Sequence, residues 1–293
     1  MKAHDLQQLF LLAAIWGSSF LFMRLAVVDF GTWPLMLVRV GVAAITMLSV
    51  VAWQRKWHAL RQYRWAIAFV GVVNAAIPFS FFVYATQYLP TGTIAVINAM
   101  TPLFGALIAR LWLGEHLSGS RLIGLIVGFS GIVFLVYDKL FFHDHHQSLA
   151  VLASLGATIS YGIAASFSTK YLKGADPIAV TAGSFSSATL CVLPLAIWFW
   201  PQHPVSMTAW GSALSLALLC TAVAYIIFYR LVASIGGARS VTVTFLVPPF
   251  GIIWGVLLLN EPFGLNELFS TALVLVGTLL ATGFLRLRLK STL

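Results

Sequence analysis

The chain has 293 residues, of which 60% are hydrophobic and only 9% charged, and its mean hydropathy is +0.95. Soluble domains carry roughly 25% charged residues, so this chain cannot cover its surface in water and needs lipid as its solvent. The net charge of +9 does not point to nucleic acid, because the basic residues sit between long apolar runs and not together on one polar face.

A membrane-spanning helix takes about 20 mostly apolar residues. Such runs recur near residues 8–27, 35–53, 65–87, 93–113, 121–137, 149–171, 178–200, 210–232, 240–259 and 267–285. The first follows Lys2 and carries Trp16-Gly17-Ser18-Ser19, with no small-x-small cleavage site, so it reads as a retained helix and not a signal peptide. The separators hold turn and charge signals, among them Gly31 and Pro34, Gln54 to Arg64, Pro90 to Gly92, Gly114 to Ser120, Gly174 to Pro177 and Asn260 to Asn266. None is long enough for a folded soluble domain, which puts the function in the bilayer. Cys191 and Cys220 each fall inside an apolar run and offer neither a disulfide framework nor a CxxC metal pair.

Orientation follows from Lys and Arg in short loops. Arg55, Lys56, Arg61 and Arg64 crowd the loop after the second run. Placing that loop in the cytoplasm brings Lys2, Arg110, Arg121, Lys170, Lys173, Arg230, Arg239, Arg286, Arg288 and Lys290 to the same side. Only Arg24, Arg39 and Lys139 fall on the other, fourteen against three. Both termini are expected in the cytoplasm, with the chain in the inner (plasma) membrane of a bacterium.

Self-similarity is the strongest signal. An offset of 146 carries Thr101-Pro102-Leu103-Phe104-Gly105 onto Val247-Pro248-Pro249-Phe250-Gly251, Leu113-Gly114-Glu115 onto Leu259-Asn260-Glu261, and Gly131 onto Gly277. Trp16-Gly17 falls on Tyr161-Gly162 at an offset of 145. One unit therefore covers residues 1–140 and the other 147–290. An odd number of helices per unit inserts the second copy upside down, a recurring transporter plan with substrate bound between the halves near the midplane. The fold expected is all-α: ten transmembrane helices as two inverted five-helix repeats.

The paired Pro-Leu-Phe-Gly and Pro-Pro-Phe-Gly segments, each followed by an apolar run and Leu-Gly-Glu or Leu-Asn-Glu, resemble the EamA-type members of the drug/metabolite transporter superfamily. The aromatic-Gly pair opening each half does so too, and the match spans nearly the whole chain. The resemblance implies a ten-helix exporter of small metabolites or amino acids, without naming the substrate.

Within the helices, polar and aromatic residues pair across the repeat. Phe79 falls on Tyr225, Asn98 on Thr244, and Asn74 near Cys220 and Thr221. With Trp16, Ser19 and Tyr161 they are the expected lining of a central cavity, and Pro78, Pro102 and Pro248 the expected helix breaks, since irregular backbone is tolerated where it lines a cavity. Asn74 and Asn98 equally suit interhelical hydrogen bonding. Glu115 and Glu261, after the fourth and ninth helices, are placed to serve the positive N-terminal end of the helix that follows each. Arg24 and Arg39 are expected to snorkel to the interface with Asp29 as a partner, although a buried arginine there also suits a substrate carboxylate. Phe142-His143-Asp144-His145-His146 resembles a metal cluster, but adjacent ligands without a second cluster seldom close a tetrahedral site. It reads as a solvated connector, and no metal or cofactor is expected.

No Asp or Glu lies midway along an apolar run, which argues against carboxylate-based proton coupling. The expectation is a transporter of small amphipathic molecules, in contact with membrane lipids and not with nucleic acid, working as a facilitator or as an exchanger coupled by other means. Rival readings are a membrane-embedded lipid-processing enzyme, which needs titratable groups converging at one membrane face, and a scaffold, which needs no broken helices.

Overall fold

In hydrocarbon every backbone N–H and C=O must find a partner inside the protein, and a chain this apolar meets that demand with helices. The computed structural model describes residues 3–141 and 145–285, and among these there is no strand. Ten long helices follow in order, with short helices at Trp57–Gln62 and Gly237–Ser240 between them: α1 (Ala3–Phe30), α2 (Thr32–Trp53), α3 (Arg64–Ala85), α4 (Thr91–Leu113), α5 (Gly119–Phe141), α6 (His145–Tyr171), α7 (Pro177–Trp198), α8 (Met207–Ile235), α9 (Val243–Leu259) and α10 (Leu265–Ala281). The first eight are long and apolar enough to cross a bilayer by length and composition, while α9 and α10 are shorter. At 17 residues each, the last two sit at the lower limit of about 17 for a span. Lys2, the Phe142-His143-Asp144 part of the proposed metal-like cluster, and Arg286, Arg288 and Lys290 lie outside the described residues.

Packing follows the repeat. Helices α5 and α10 pair with each other, as do α2 and α7; α1 packs on α9 and α8, and α6 on α4 and α3. Exchanging the two halves leaves this pattern unchanged. Glycine permits the closest approaches. A Cβ on Gly17 would lie 2.7 Å from Phe250 Cβ and 2.9 Å from the Gly251 nitrogen; one on Gly162 would lie 3.0 Å from the Gly105 nitrogen and 3.1 Å from the Phe104 carbonyl carbon. These are the same contact in the two halves. The α5–α10 pair meets through Gly124, Gly128, Gly131 and Gly277, the small-residue contact that lets membrane helices approach without a hydrophobic driving force.

Helices α3 and α8 are not regular. Each contains a π-helical segment, Val72–Ala76 in one and Leu218–Val223 in the other, and such segments cluster at functional sites. Pro78 accounts for part of the first. It has no N–H to give, and the Val73 carbonyl five residues back accepts from Ser160 Oγ at 2.6 Å. In the second, Thr221 Oγ1 donates to the Leu216 carbonyl at 2.8 Å, so a side chain takes up a backbone acceptor there too. Pro102 stands just after the break in α4, where helix Thr91–Asn98 stops and a new one starts at Thr101. Pro248 does not break its helix. α9 runs on through Pro248 and Pro249, and the irregular turn lies earlier, at Val241–Thr242. There Thr244 N and Phe245 N donate to carbonyls only three residues back, which tightens the entry to the helix.

Helix ends show one difference from expectation. Gly114 (φ 73°) and Asn260 (φ 52°) are the left-handed C-caps of α4 and α9, as their sequence position suggests. Glu261, however, does not serve α10, whose first turn is held by Glu267 Oε2 accepting from Gly264 N at 3.0 Å. It reaches across to α4, accepting from Thr91 N at 2.8 Å and from Thr91 Oγ1 at 2.7 Å. The reason is local: α10 carries its own acidic residue, whereas α4 begins after Pro90 with no side-chain cap of its own. Glu115 is exposed.

Candidate functional site

Four of the aromatic residues expected in the cavity lining, Trp16, Phe79, Tyr161 and Tyr225, form two copies of one arrangement. Trp16 of α1 meets Tyr225 of α8 edge-on, ring centroids 6.2 Å apart at 70°. Tyr161 of α6 meets Phe79 of α3 at 6.5 Å and 69°. One helical turn further on, Trp16 lies 5.5 Å from Phe228 and Tyr161 lies 6.2 Å from Phe82. Each first-helix aromatic thus packs on an i, i+3 aromatic pair of the opposite half, so the halves are joined there by edge-on and tilted ring contacts.

Beside this cluster lies a cavity of about 290 Å³ between α3, α6, α7 and α8. It runs from Asn74 and Tyr225 out to Leu172 and Pro177, where α6 ends and α7 begins. Thr181, Ser184 and Tyr229 give it further neutral polar groups, with Thr181 and Tyr229 sharing a hydrogen bond. Among its lining residues none is charged. The π-helical segment at Val72–Ala76 turns Asn74 into it, and Asp176 fixes the mouth. That carboxylate caps α7 by accepting from Ile178 N at 3.0 Å and Ala179 N at 3.1 Å, and it pairs with Lys56 Nζ at 2.6 Å. Burial pushes the Asp176 carboxyl up, but Lys56 and the two amides outweigh it and hold it below its ordinary value.

The far ends of α3 and α8 are tied to their neighbours, and a second cavity of about 160 Å³ lies beside Glu261 between α4, α5, α9 and α10. Phe30 packs edge-on against Trp210 at 4.9 Å, Gln87 Nε2 donates to Thr32 Oγ1 at 3.0 Å, and Glu261 holds Thr91, whose exposure is 0%. Arg24 donates to the Thr86 carbonyl, so it ties α1 to the end of α3. Asp29 accepts from Ser206 N at 2.9 Å and partners neither arginine.

Arg39 departs furthest from expectation. It does not snorkel: it is 5% exposed, 3.6 Å above the centroid of the Phe79 ring, with Nε donating to Thr221 Oγ1 at 3.2 Å. Its other contact is Met23 Sδ at 3.6 Å, a weak acceptor. Ser19 is buried beside Cys220. Asn98 stands at the break of α4, and the Thr244 hydroxyl turns back to the Val241 carbonyl at 2.8 Å; neither lines the cavity. Sequence reasoning did not name Thr181, Ser184 or Tyr229, and it placed snorkelling ahead of burial for Arg39. Repeat arithmetic held the signal for one of them, since Ser184 is the counterpart of Arg39.

Comparison with known proteins agrees with this architecture. The model of the EamA-like transporter family matches residues 7–137 and again residues 148–283. An uncharacterized transporter of Bacillus subtilis (strain 168), YvbV, is 26% identical over 235 residues, 79% of this chain and 76% of that one. A probable terminal-alkyne amino-acid exporter of Streptantibioticus cattleyicolor is 24% identical over 93% of this chain and 91% of its own. A probable amino-acid metabolite efflux pump of Escherichia coli (strain K12) is 24% identical over 91% of each. One solved crystal structure shares the fold with a TM-score of 0.67, at 16% identity over 96% of this chain and 97% of its own.

Proposed function

This chain belongs to the EamA-like transporter family, and from that premise we propose that it exports small amphipathic metabolites, amino acids among them, by alternating access between its two halves. The observation that carries the reading is the pairing of a one-sided cavity with a ring cluster repeated in both halves. A molecule entering from the Lys56–Asp176 side meets Asn74 and Tyr225 and then the Trp16, Phe79 and Tyr161 rings. Rocking the halves 1–140 and 147–290 about that cluster exchanges which end is closed. On the positive-inside reading the open end faces the cytoplasm, along with both termini, and the protein resides in the inner membrane of a bacterium. Exporter and efflux-pump relatives support an amino-acid-like cargo. An enzyme acting on lipid is the weaker reading, because the cavity is lined by neutral groups and offers no nucleophile–base pair.

The test is counterflow in proteoliposomes with a panel of labelled amino acids and related metabolites, on wild type, Trp16→Phe and Tyr161→Phe. Both substitutions keep most of the ring volume and remove the polar handle. Altered affinity or selectivity at nearly constant thermal stability supports rings that face the cargo. Constants unchanged across the whole panel would reduce both residues to packing.

A further inference from the structure

Arg39 is a buried cation without an anion. Among the described residues the ion pair found is Lys56–Asp176, beyond the other end of α2, and the contacts of Arg39 are one hydroxyl, one thioether and one ring face. A guanidinium carries five N–H donors in a fork that matches carboxylate geometry. An unpaired charge in a membrane interior is expensive, and such residues mark substrate paths. Nothing in the helix requires an arginine at this place: replacing buried ionic groups by apolar ones of similar size is often neutral or stabilising.

The repeat says what the place is. An offset of 145 relates the first residues of α2 and α7, Thr32 and Pro177, and their last, Trp53 and Trp198. The same offset carries Arg39 onto Ser184 and Met23 onto Ser168, and the offset of 146 carries Phe79 onto Tyr225 and Thr221 onto Ala75. Ser184, Ser168, Tyr225 and Ala75 all line the cavity. Arg39 and its three contacts are therefore the repeat image of the cavity wall, collapsed on the side now closed.

We infer that Arg39 is a substrate-binding residue that lines the cavity when it opens to the other side, and that its guanidinium takes the carboxylate of the transported molecule. The cargo class is then a small organic carboxylate with an apolar body, the body resting on Phe79 and Tyr161 and the acid group on Arg39. Where the first half has this cation, the second has the neutral Ser184, so the two ends of the path differ in charge. The acid group is held at the outward-opening end and is met only by neutral donors at the other. This inference rests on the transport reading for the route, but not for the site.

The experiment uses matched acid and amide probes, L-leucine with L-leucinamide and L-phenylalanine with L-phenylalaninamide, together with 2-oxoisocaproate, which lacks the amine. Binding to the full-length protein in detergent is read by thermal shift, and transport by counterflow. Wild type should bind each acid, the keto acid included, about tenfold or more tightly than the amides, since a bidentate charge-assisted pair is lost in the amide. Arg39→Gln should erase that preference, and Arg39→Lys should keep part of it. Arg39→Met, which leaves an unbranched apolar chain, should fold with an undiminished Tm and bind acid and amide alike. Acid binding that depends on Arg39 without counterflow of any probe would overturn the transport reading and leave the site standing. Equal binding of acid and amide by wild type, no binding of any probe, or an acid preference that survives in Arg39→Gln or Arg39→Met would each overturn the inference. The wild-type comparison requires no variant to fold.

Discussion

Glu261→Gln tests the closed end of the path. The carboxylate accepts from Thr91 N through both oxygens, at 2.8 and 2.9 Å, from Thr91 Oγ1 at 2.7 Å, and from Gly92 N at 3.4 Å. Glutamine keeps the length but has a single acceptor oxygen, and its NH2 group faces donors. Losing a side-chain cap costs about 0.5–2 kcal/mol. Losing the negative charge at a helix N-terminus costs about 0.3–1 kcal/mol more, giving a loss of about 1–3 kcal/mol. Because the contact joins α9 of one half to α4 of the other, that loss falls on this closed arrangement and not on either half alone. The measurement is thermal or denaturant unfolding in detergent of Glu261→Gln beside Glu115→Gln, its repeat partner. Glu115 is exposed and its side chain makes no hydrogen bond or ion pair among the described residues, so its variant should stay within about 0.5 kcal/mol of wild type. Equal effects at the two glutamates, or none at Glu261, would refute the assignment of Glu261 as the cap of α4.

Gly17→Ala and Gly162→Ala should each destabilise by about 1–3 kcal/mol through overpacking, because the new methyl meets backbone of α9 or α4 at 3.1 Å or less; Gly211→Ala, with open space around it, is the control that should be tolerated, and unfolding midpoints decide. Asp176→Asn should lower stability at neutral pH. The carboxyl lies below its ordinary value in the folded chain, so its contribution is full above the unfolded value of about 3.9 and fades as pH falls through the folded one. The gap between variant and wild type should therefore close in acid, and a gap independent of pH would contradict the assignment. For topology, cysteines at Trp57 and His203, in a background lacking Cys191 and Cys220, should react oppositely with an impermeant thiol reagent, Trp57 from inside and His203 from outside; equal labelling from outside would remove the inverted arrangement.

Helix number and pairing of the halves were legible in sequence because hydrocarbon leaves the backbone few options, and because two copies of one pattern check each other. Arg39 was not. It lies seven residues beyond the start of α2, about 10 Å along the axis at 1.5 Å per residue, which a linear reading counts as the helix end. Whether a side chain there turns to lipid or inward depends on the face that α2 presents to α7, and no local rule states it. Glu261 was read as the cap of its neighbour in sequence because its neighbour in space belongs to the other half.

The small discrepancy between offsets has a structural cause. Trp53 and Trp198, and Trp65 and Trp210, stand 145 apart, whereas Phe79 and Tyr225, and Pro102 and Pro248, stand 146 apart. The change falls within the π-helical segments, which hold five residues in α3 and six in α8. One residue added to a regular α-helix would rotate everything after it by about 100°, swinging Tyr225 and Phe228 away from Trp16. Absorbed in a wider turn, it leaves both rings facing Trp16 as Phe79 and Phe82 face Tyr161. The irregular turns are therefore what keep the two aromatic closures equivalent, although only α3 carries a proline to announce one.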